Sequence, residues 1–253
     1  MTSYDAVILA GGVNSGELRK YAPYENEALI ILGKYPMIHY VYQAVKNTPG
    51  LGNIIISGPC DSLRPIFSKD DNLMFTDSGE DAIESFANAL GLANSERILI
   101  MPADIPFITP EAIEDFLHQC EKYDADVHYA IVSREVSEKR FPRVKRTYVR
   151  LKEGVFTGGN LFLIRTAVAS QGIALGKKLV AHRKNPLAQA RLFGMDLVLK
   201  YVTGRLSIRE VEERFHEILN LTGKAIISNY AEVGVDVDKP SDLKLAEEIL
   251  GKV

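Results

Sequence analysis

The stretch Ala6-Val7-Ile8-Leu9-Ala10-Gly11-Gly12 decides the fold. Its first residues are apolar without alternation, the signature of a strand covered on both faces, as in parallel sheets. The glycines that follow let backbone N–H groups come close to phosphate oxygens. In parallel sheets ligands sit beyond the carboxyl ends of the strands, where this loop falls. Alone, the two glycines fit a tight turn as well as a phosphate loop. The continuation Val13-Asn14-Ser15-Gly16-Glu17-Leu18-Arg19 excludes two better-known loops. It contains neither the GxxxxGK-S/T of a Walker loop nor a GxGxxG that opens a helix. The first amphipathic helix begins only near Pro36, more than twenty residues past the glycines, and so long a connection points to function or disorder.

Outward from that strand, Asn53–Ser57 and Ile98–Met101 are further unalternating apolar runs. Helical stripes lie between and after them: Met37, Tyr40, Val41, Ala44; Ile83, Phe86, Ala87, Leu90; and Ile113, Phe116, Leu117, Cys120. Thr109 before Pro110 reads as a helix cap. Strand and helix thus alternate to about residue 125, which predicts right-handed crossovers and a three-layer α/β/α sandwich with a mostly parallel, Rossmann-like sheet. Beyond it, Asp126–Ser133 reads as a strand, Phe141–Leu151 as basic and β-like, and Gly158–Ile164 as a strand opened by glycines. Ala174–Leu199 looks helical with a break at Pro186. Ser207 and Glu210 have capping-box spacing before Val211, Phe215 and Ile218. Lys224–Ser228 suggests a late strand and Ser241–Leu250 a closing helix. The expectation is one domain over residues 1–253, with a nucleotide half to residue 125 and an acceptor half from 126.

Composition narrows the function classes. A hydrophobic content of 46% and a charged content of 25% over 253 residues are ordinary for a soluble globular chain. A net charge of −3 disfavours a nucleic-acid partner. No apolar run approaches the roughly 18 residues that cross a bilayer. The N-terminus has no basic region ahead of its short apolar run, so no signal peptide is expected. Cys60 and Cys120 belong to no Cys/His cluster and read as free thiols. The expectation is a cytoplasmic monomer or homodimer without zinc.

Leu9-Ala10-Gly11-Gly12 after the first strand, then a basic residue, then Ala28-Leu29-Ile30-Ile31-Leu32-Gly33 with Pro36 and a helix, resembles the GT-A-like (nucleotide-diphospho-sugar transferase) nucleotidyltransferases. The nearest group is MobA-like, similar to molybdenum-cofactor guanylyltransferase. The resemblance implies an enzyme that joins an NTP to a phosphate-bearing small molecule, a cofactor precursor or sugar phosphate, and releases pyrophosphate with Mg2+ as cofactor. It implies that Leu9, Ala10, Gly11, Gly12, Asn14 and Ser15 hold the nucleotide, with Gly58 at the end of the second strand and Gly79 ahead of the Ile83 helix, and that Arg19, or Lys20, meets the triphosphate. Asp104, delivered by the strand Arg97–Met101, would hold Mg2+; its alternative is a turn or capping aspartate near Thr109. Gly234-Val235-Asp236-Val237-Asp238-Lys239-Pro240 resembles the family's second metal segment. Asp236, with Asp238 beside it, is its candidate ligand, and capping of the last helix is the alternative.

On the acceptor side, Thr157-Gly158-Gly159-Asn160 resembles the strand that lies along the acceptor, although the glycines fit a bulge equally. Arg146 belongs to a basic cluster with Arg143, Lys145 and Arg150, and His182-Arg183-Lys184 forms another. Such groups suit a phosphate, and a solvated charged face is the bland alternative. In two respects the chain departs from the family: a few extra residues separate Gly12 from Arg19, and a lysine position is acidic. Glu27, in Asn26-Glu27-Ala28-Leu29, occupies the place of a phosphate-contacting lysine. Two other functions use the same features: a GT-A glycosyltransferase fed by a sugar nucleotide, and an NTP-binding protein without turnover.

Overall fold

The computed structural model describes residues 4–181 and 194–251. Its first strand, β1 (Tyr4–Leu9), sends Ala6 and Ile8 to one face and Val7 to the other, and both sets are fully buried. After β1 come α1 (Leu18–Tyr21), a 3-10 turn at Glu27–Leu29, the hairpin β2 (Ile31–Leu32) and β3 (Tyr35–Pro36), and α2 (Met37–Lys46). There follow β4 (Leu51–Ser57), α3 (Cys60–Leu63), β5 (Leu73–Thr76), α4 (Ala82–Leu90), β6 (Arg97–Pro102) and α5 (Pro110–Cys120). The second half runs β7 (Val127–Ser133), α6 (Arg134–Arg140), β8 (Val149–Leu151), β9 (Gly154–Arg165), α7 (Thr166–Ala181), α8 (Met195–Val202), α9 (Ile208–Leu219), β10 (Gly223–Ser228) and α10 (Pro240–Leu250).

Seven strands lie in the order β10-β7-β9-β6-β1-β4-β5, and β8 pairs with β9 as the eighth. The run β6-β1-β4-β5 is parallel, as is the pair β7-β10. β9 is antiparallel to both β6 and β7 and so joins the two parallel parts. On one face α2 and α5 pack Ile38, Val41, Ile113 and Phe116 against Ala6, Ile8, Leu99 and Met101. On the other, Phe86 and Ala89 of α4 and Ala169 of α7 cover Val7, Ile55 and Ile98. This is the expected α/β/α sandwich. A third cluster lies apart from these two: Leu18, Ile30, Leu32 and Met37 meet Phe141, Val144, Val235, Val237 and Leu243. It fastens the loops after β1, after α6 and before α10 to one another.

Local signals behave as their chemistry requires. The Thr109 hydroxyl accepts from the Ala112 N–H at 3.2 Å. Ser207 and Glu210 form the complete capping box of α9. Beyond that box, Glu212 accepts from the Ala225 N–H of β10 at 2.9 Å and pairs with Lys224 at 3.1 Å. The edge strand's outward donor is thus satisfied within the molecule.

Three expectations are corrected. The connection after Gly12 is not structureless, since α1, the 3-10 turn and the β2–β3 hairpin fill it. Phe141–Leu151 is not a strand over its length: only Val149–Leu151 pairs, with β9. Pro142 lacks an N–H, and Phe141 and Val144 turn down into the third cluster, so residues 141–148 run as an irregular segment. The helical stretch begins earlier, at Thr166, and resumes as α8, while Pro186 and the His182-Arg183-Lys184 cluster lie outside the described residues.

Phe116 is the largest fully buried side chain. Phe116→Ala should lower unfolding free energy by about 3–5 kcal/mol in urea titrations. A loss under about 1 kcal/mol would show that α5 does not carry this core.

Candidate active site

Backbone hydrogen bonds carry the sheet one residue past its strand ends. Ala10 N–H donates to Ser57 at 2.7 Å, Ala103 N–H to Leu9 at 2.9 Å, and Gly58 N–H to Thr76 at 3.0 Å. At this edge a cavity of about 360 Å³ opens. Leu9, Ala10, Gly11, Gly12, Glu27, Gly79 and Asp104 are among its walls. The remaining wall is the start of α4, with Glu80, Asp81, Ala82 and Ser85. Sequence reasoning missed those four residues. The aspartate of Asp81-Ala82-Ile83-Glu84 was the available signal, because it caps the helix by accepting from the Glu84 N–H at 2.8 Å.

Neighbouring side chains close on both glycines of the first loop, on Gly11 through a fixed Cβ and on Gly12 through the end of a flexible side chain. A Cβ on Gly11 would stand 2.6 Å from the Ser78 Cβ, and one on Gly12 2.7 Å from a Glu27 carboxylate oxygen. Two asparagines fix the loop. Asn26 donates to the Ala10 carbonyl at 2.7 Å and accepts from the Ala28 N–H at 2.8 Å. Asn14 is fully buried and donates to the carbonyls of Ala22 at 2.7 Å and Tyr24 at 3.0 Å. Its side chain therefore ties down the loop and does not face a nucleotide. Ser15 and Arg19 are exposed and lie outside the cavity wall, with Arg19 carried outward on α1. Gly58 is also outside it. A Cβ there would meet the Ala10 carbonyl oxygen at 2.8 Å and Leu63 at 2.6 Å, so close packing of β4 on β1 explains the glycine.

The carboxylates converge. Val237 N–H donates to the Asp104 carbonyl at 2.9 Å, which stitches the late loop to the end of β6. Val235 and Val237 are fully buried, so the extended chain turns Asp236 and Asp238 to the opposite side. Asp104, Asp236 and Asp238 each offer a carboxylate oxygen, and these oxygens lie within 4.8 Å of one another. One Asp104 oxygen, Oδ1, is buried with no hydrogen-bond partner among the described residues. Burial first, then the charges of Asp236, Asp238 and Glu27, push the Asp104 carboxyl up to about 8. Glu27 is raised by burial, then by Asp238 and Asp236; Asp238 is raised by burial, then by Asp236. An orphaned buried oxygen among crowded carboxylates fits a hard divalent cation, which takes oxygen ligands and neutralises them.

The acceptor-side residues behave differently from expectation. Arg146 forms an ion pair with Asp236 and also donates to its backbone carbonyl at 3.2 Å. Its guanidinium is therefore engaged by a candidate metal ligand and not held free for an acceptor. Asn160 donates to the Val233 carbonyl at 3.1 Å. Gly159 is a packing position, because a Cβ would stand 2.8 Å from the Ala130 carbonyl oxygen and 2.9 Å from Val233. Gly158 is exposed, but a Cβ would stand 2.2 Å from the Tyr129 hydroxyl. Close packing against backbone explains Gly159, whereas Gly158 meets only the end of a tyrosine side chain.

The family model described as the MobA-like NTP transferase domain matches residues 6–193. A hypothetical transferase from Thermus thermophilus superposes with a TM-score of 0.85 at 37% identity, covering 96% of this chain and 100% of that one. The structure of CMP:2-keto-3-deoxy-manno-octonic acid synthetase complexed with CTP shares the fold, with a TM-score of 0.63 at 13% identity over 99% of each chain. The 8-amino-3,8-dideoxy-manno-octulosonate cytidylyltransferase of Shewanella woodyi is 28% identical over 109 residues, which is 41% of this chain. The match spans 44% of that curated relative's own length.

Because the Asp104 carboxyl is raised from 3.8 to about 8, the folded metal-free protein keeps a proton that the unfolded chain releases. Stability then falls as pH rises from about 4 to about 8 and stays lost above that. In EDTA, Asp104→Asn should remove this slope and raise the Tm at pH 8 by roughly 5 °C or more. Parallel melting curves of the two proteins across pH 5–9 would refute it.

Proposed function

We propose, from the premise that the chain belongs to the MobA-like NTP transferase family, that it is a nucleotidyltransferase dependent on Mg2+. The convergence of Asp104, Asp236 and Asp238 beside a glycine loop at the strand ends carries this reading. Asp104 and Asp236, with Asp238, would hold the ion. Bound there, Mg2+ offsets charge that builds on the phosphates.

The chain's own part is positional. Gly11 and Gly12 line the cavity, and backbone N–H groups of such a loop suit phosphate oxygens. Gly79 and the start of α4, whose first turn is capped by Asp81, form another part of the wall. An acceptor oxygen attacks the α-phosphorus in line, the new O–P bond forms, the bond to the β-phosphate breaks and pyrophosphate leaves. An ionised phosphate acceptor brings no proton to remove, so no general base is needed. The acceptor is read as a small phosphorylated molecule. The cytidylyltransferases among the relatives favour CTP as the first nucleotide to test.

Thermal shift with each of the four NTPs and Mg2+ tests the reading. At least one NTP should raise the Tm by several degrees, and Asp104→Ala should abolish the effect. Pyrophosphate release with phosphorylated acceptors is the second measurement; no stabilisation by any NTP sinks the proposal. Glu27 sits by Gly12 with its carboxylate toward the acidic trio. Glu27→Lys should tighten NTP binding about tenfold by removing one charge and adding its opposite. Equal affinities in titration calorimetry would show that Glu27 does not face the phosphates.

A further inference from the structure

Three buried polar atoms lack partners on Asp104 and on the segment that carries Arg146, and a fourth group, an aspartate, is held by that arginine. The Asp104 oxygen Oδ1 is buried with no partner, and so is Nε of Arg146. The Tyr148 hydroxyl, two residues on, is buried without a partner as well. Asp236, the fourth, is held by Arg146, and the two side chains are only 22% and 13% exposed. Buried polar atoms without partners are rare and mark either strain or a missing ligand. Here one orphan is an anion and two are donors, so no single ligand answers them all.

The segment that carries the donors is placed to move. Residues 145–148 make no backbone–backbone hydrogen bond among the described residues. Phe141 and Val144 anchor its start and β8 its end. Between them, Arg146 on Asp236 is the tether. Arg134, itself paired with Glu138 at 2.7 Å, lies over the Tyr148 ring at 5.4 Å.

We propose that Arg146 is an exchangeable partner: it neutralises Asp236 while no cation is bound, and passes to the phosphate group of the acceptor once one is. This rests on the metal reading above. A divalent ion and a guanidinium are like charges that compete for one carboxylate, and their mutual repulsion favours departure of the weaker ligand. The hard cation takes carboxylate oxygens, whereas the planar fork of arginine matches phosphate. Released, the Arg146 guanidinium and the Tyr148 hydroxyl become available to donate to that phosphate. Arg146 is thereby a positioning residue that makes acceptor binding conditional on metal, so the acceptor phosphate is captured only where it can react.

The Nε–H resonance of Arg146, identified by its loss in Arg146→Gln, reports the exchange in nitrogen-edited NMR of the whole protein. Added Mg2+ should shift this signal and speed its exchange with water. Inorganic phosphate should then slow that exchange, binding at least tenfold tighter with Mg2+ than without. In Asp236→Asn the signal should already be fast and unresponsive to Mg2+, which guards against misfolding of the glutamine variant. Mg2+ binding by calorimetry with the Arg146 signal unmoved overturns the exchange alone. Absence of Mg2+ binding, with or without CTP, overturns both the metal reading and the exchange. Equal phosphate affinity with and without Mg2+ also overturns it.

Discussion

Like charges must be held together against their own repulsion before this site can exist. At separations near 4.8 Å two ionised carboxylates repel by roughly 3 kcal/mol at an intermediate dielectric. The backbone supplies the restraint. Val237 donates to the Asp104 carbonyl, so the residue between the two late aspartates is itself the stitch to the end of β6. Val235 and Val237 sink into the third apolar cluster and leave Asp236 and Asp238 with one direction to face. Apolar burial on one side of a five-residue stretch is thus what sets the acids on the other. The lifted carboxyl of Asp104 and the grip of Arg146 on Asp236 are two ways in which the folded chain relieves the same stress.

Much of this was legible in the residues. The unalternating runs of β1, β4 and β6 and the stripes of α2, α4 and α5 translate directly into two-faced burial, because periodicity records which sides meet apolar neighbours. Asp104 was legible as a strand-end acid, and the Asp236–Asp238 pair through its resemblance to the family's second metal segment. Other features depended on contacts between distant residues. Asn14 looked like a loop residue open to ligand, yet its amide is consumed by the carbonyls of Ala22 and Tyr24. Arg146 looked like an acceptor cation, but its partner lies ninety residues downstream and no local pattern announces it. β5 escaped notice because Leu73–Thr76 is short and only half buried at the sheet's edge.

Glycine had two roles here that sequence alone could not separate. Gly11 and Gly12 line the cavity and also allow Ser78 and Glu27 to close upon them. Gly58 and Gly159, expected beside ligands, instead let one strand or loop lie against another. An absent side chain records that something comes close, and only the surroundings reveal whether that something is substrate or protein. The same distinction gives Glu27 its weight. Its main chain ties into the loop through the Gly12 carbonyl at 3.0 Å, so its acidic side chain is built into the loop's geometry and is not a loose surface charge.

The Glu212 carboxylate that answers the Ala225 N–H at the outer side of β10 has a consequence for the molecule in concentrated solution. A sheet with an open row of donors can be prolonged by a strand from another molecule, and fibrous aggregates grow by that route. Here that row is interrupted at its middle by an internal acid, itself steadied by Lys224. At the far end β5 offers only four residues. Among the described residues, the two ends of the main sheet therefore offer strand addition only a short or interrupted template.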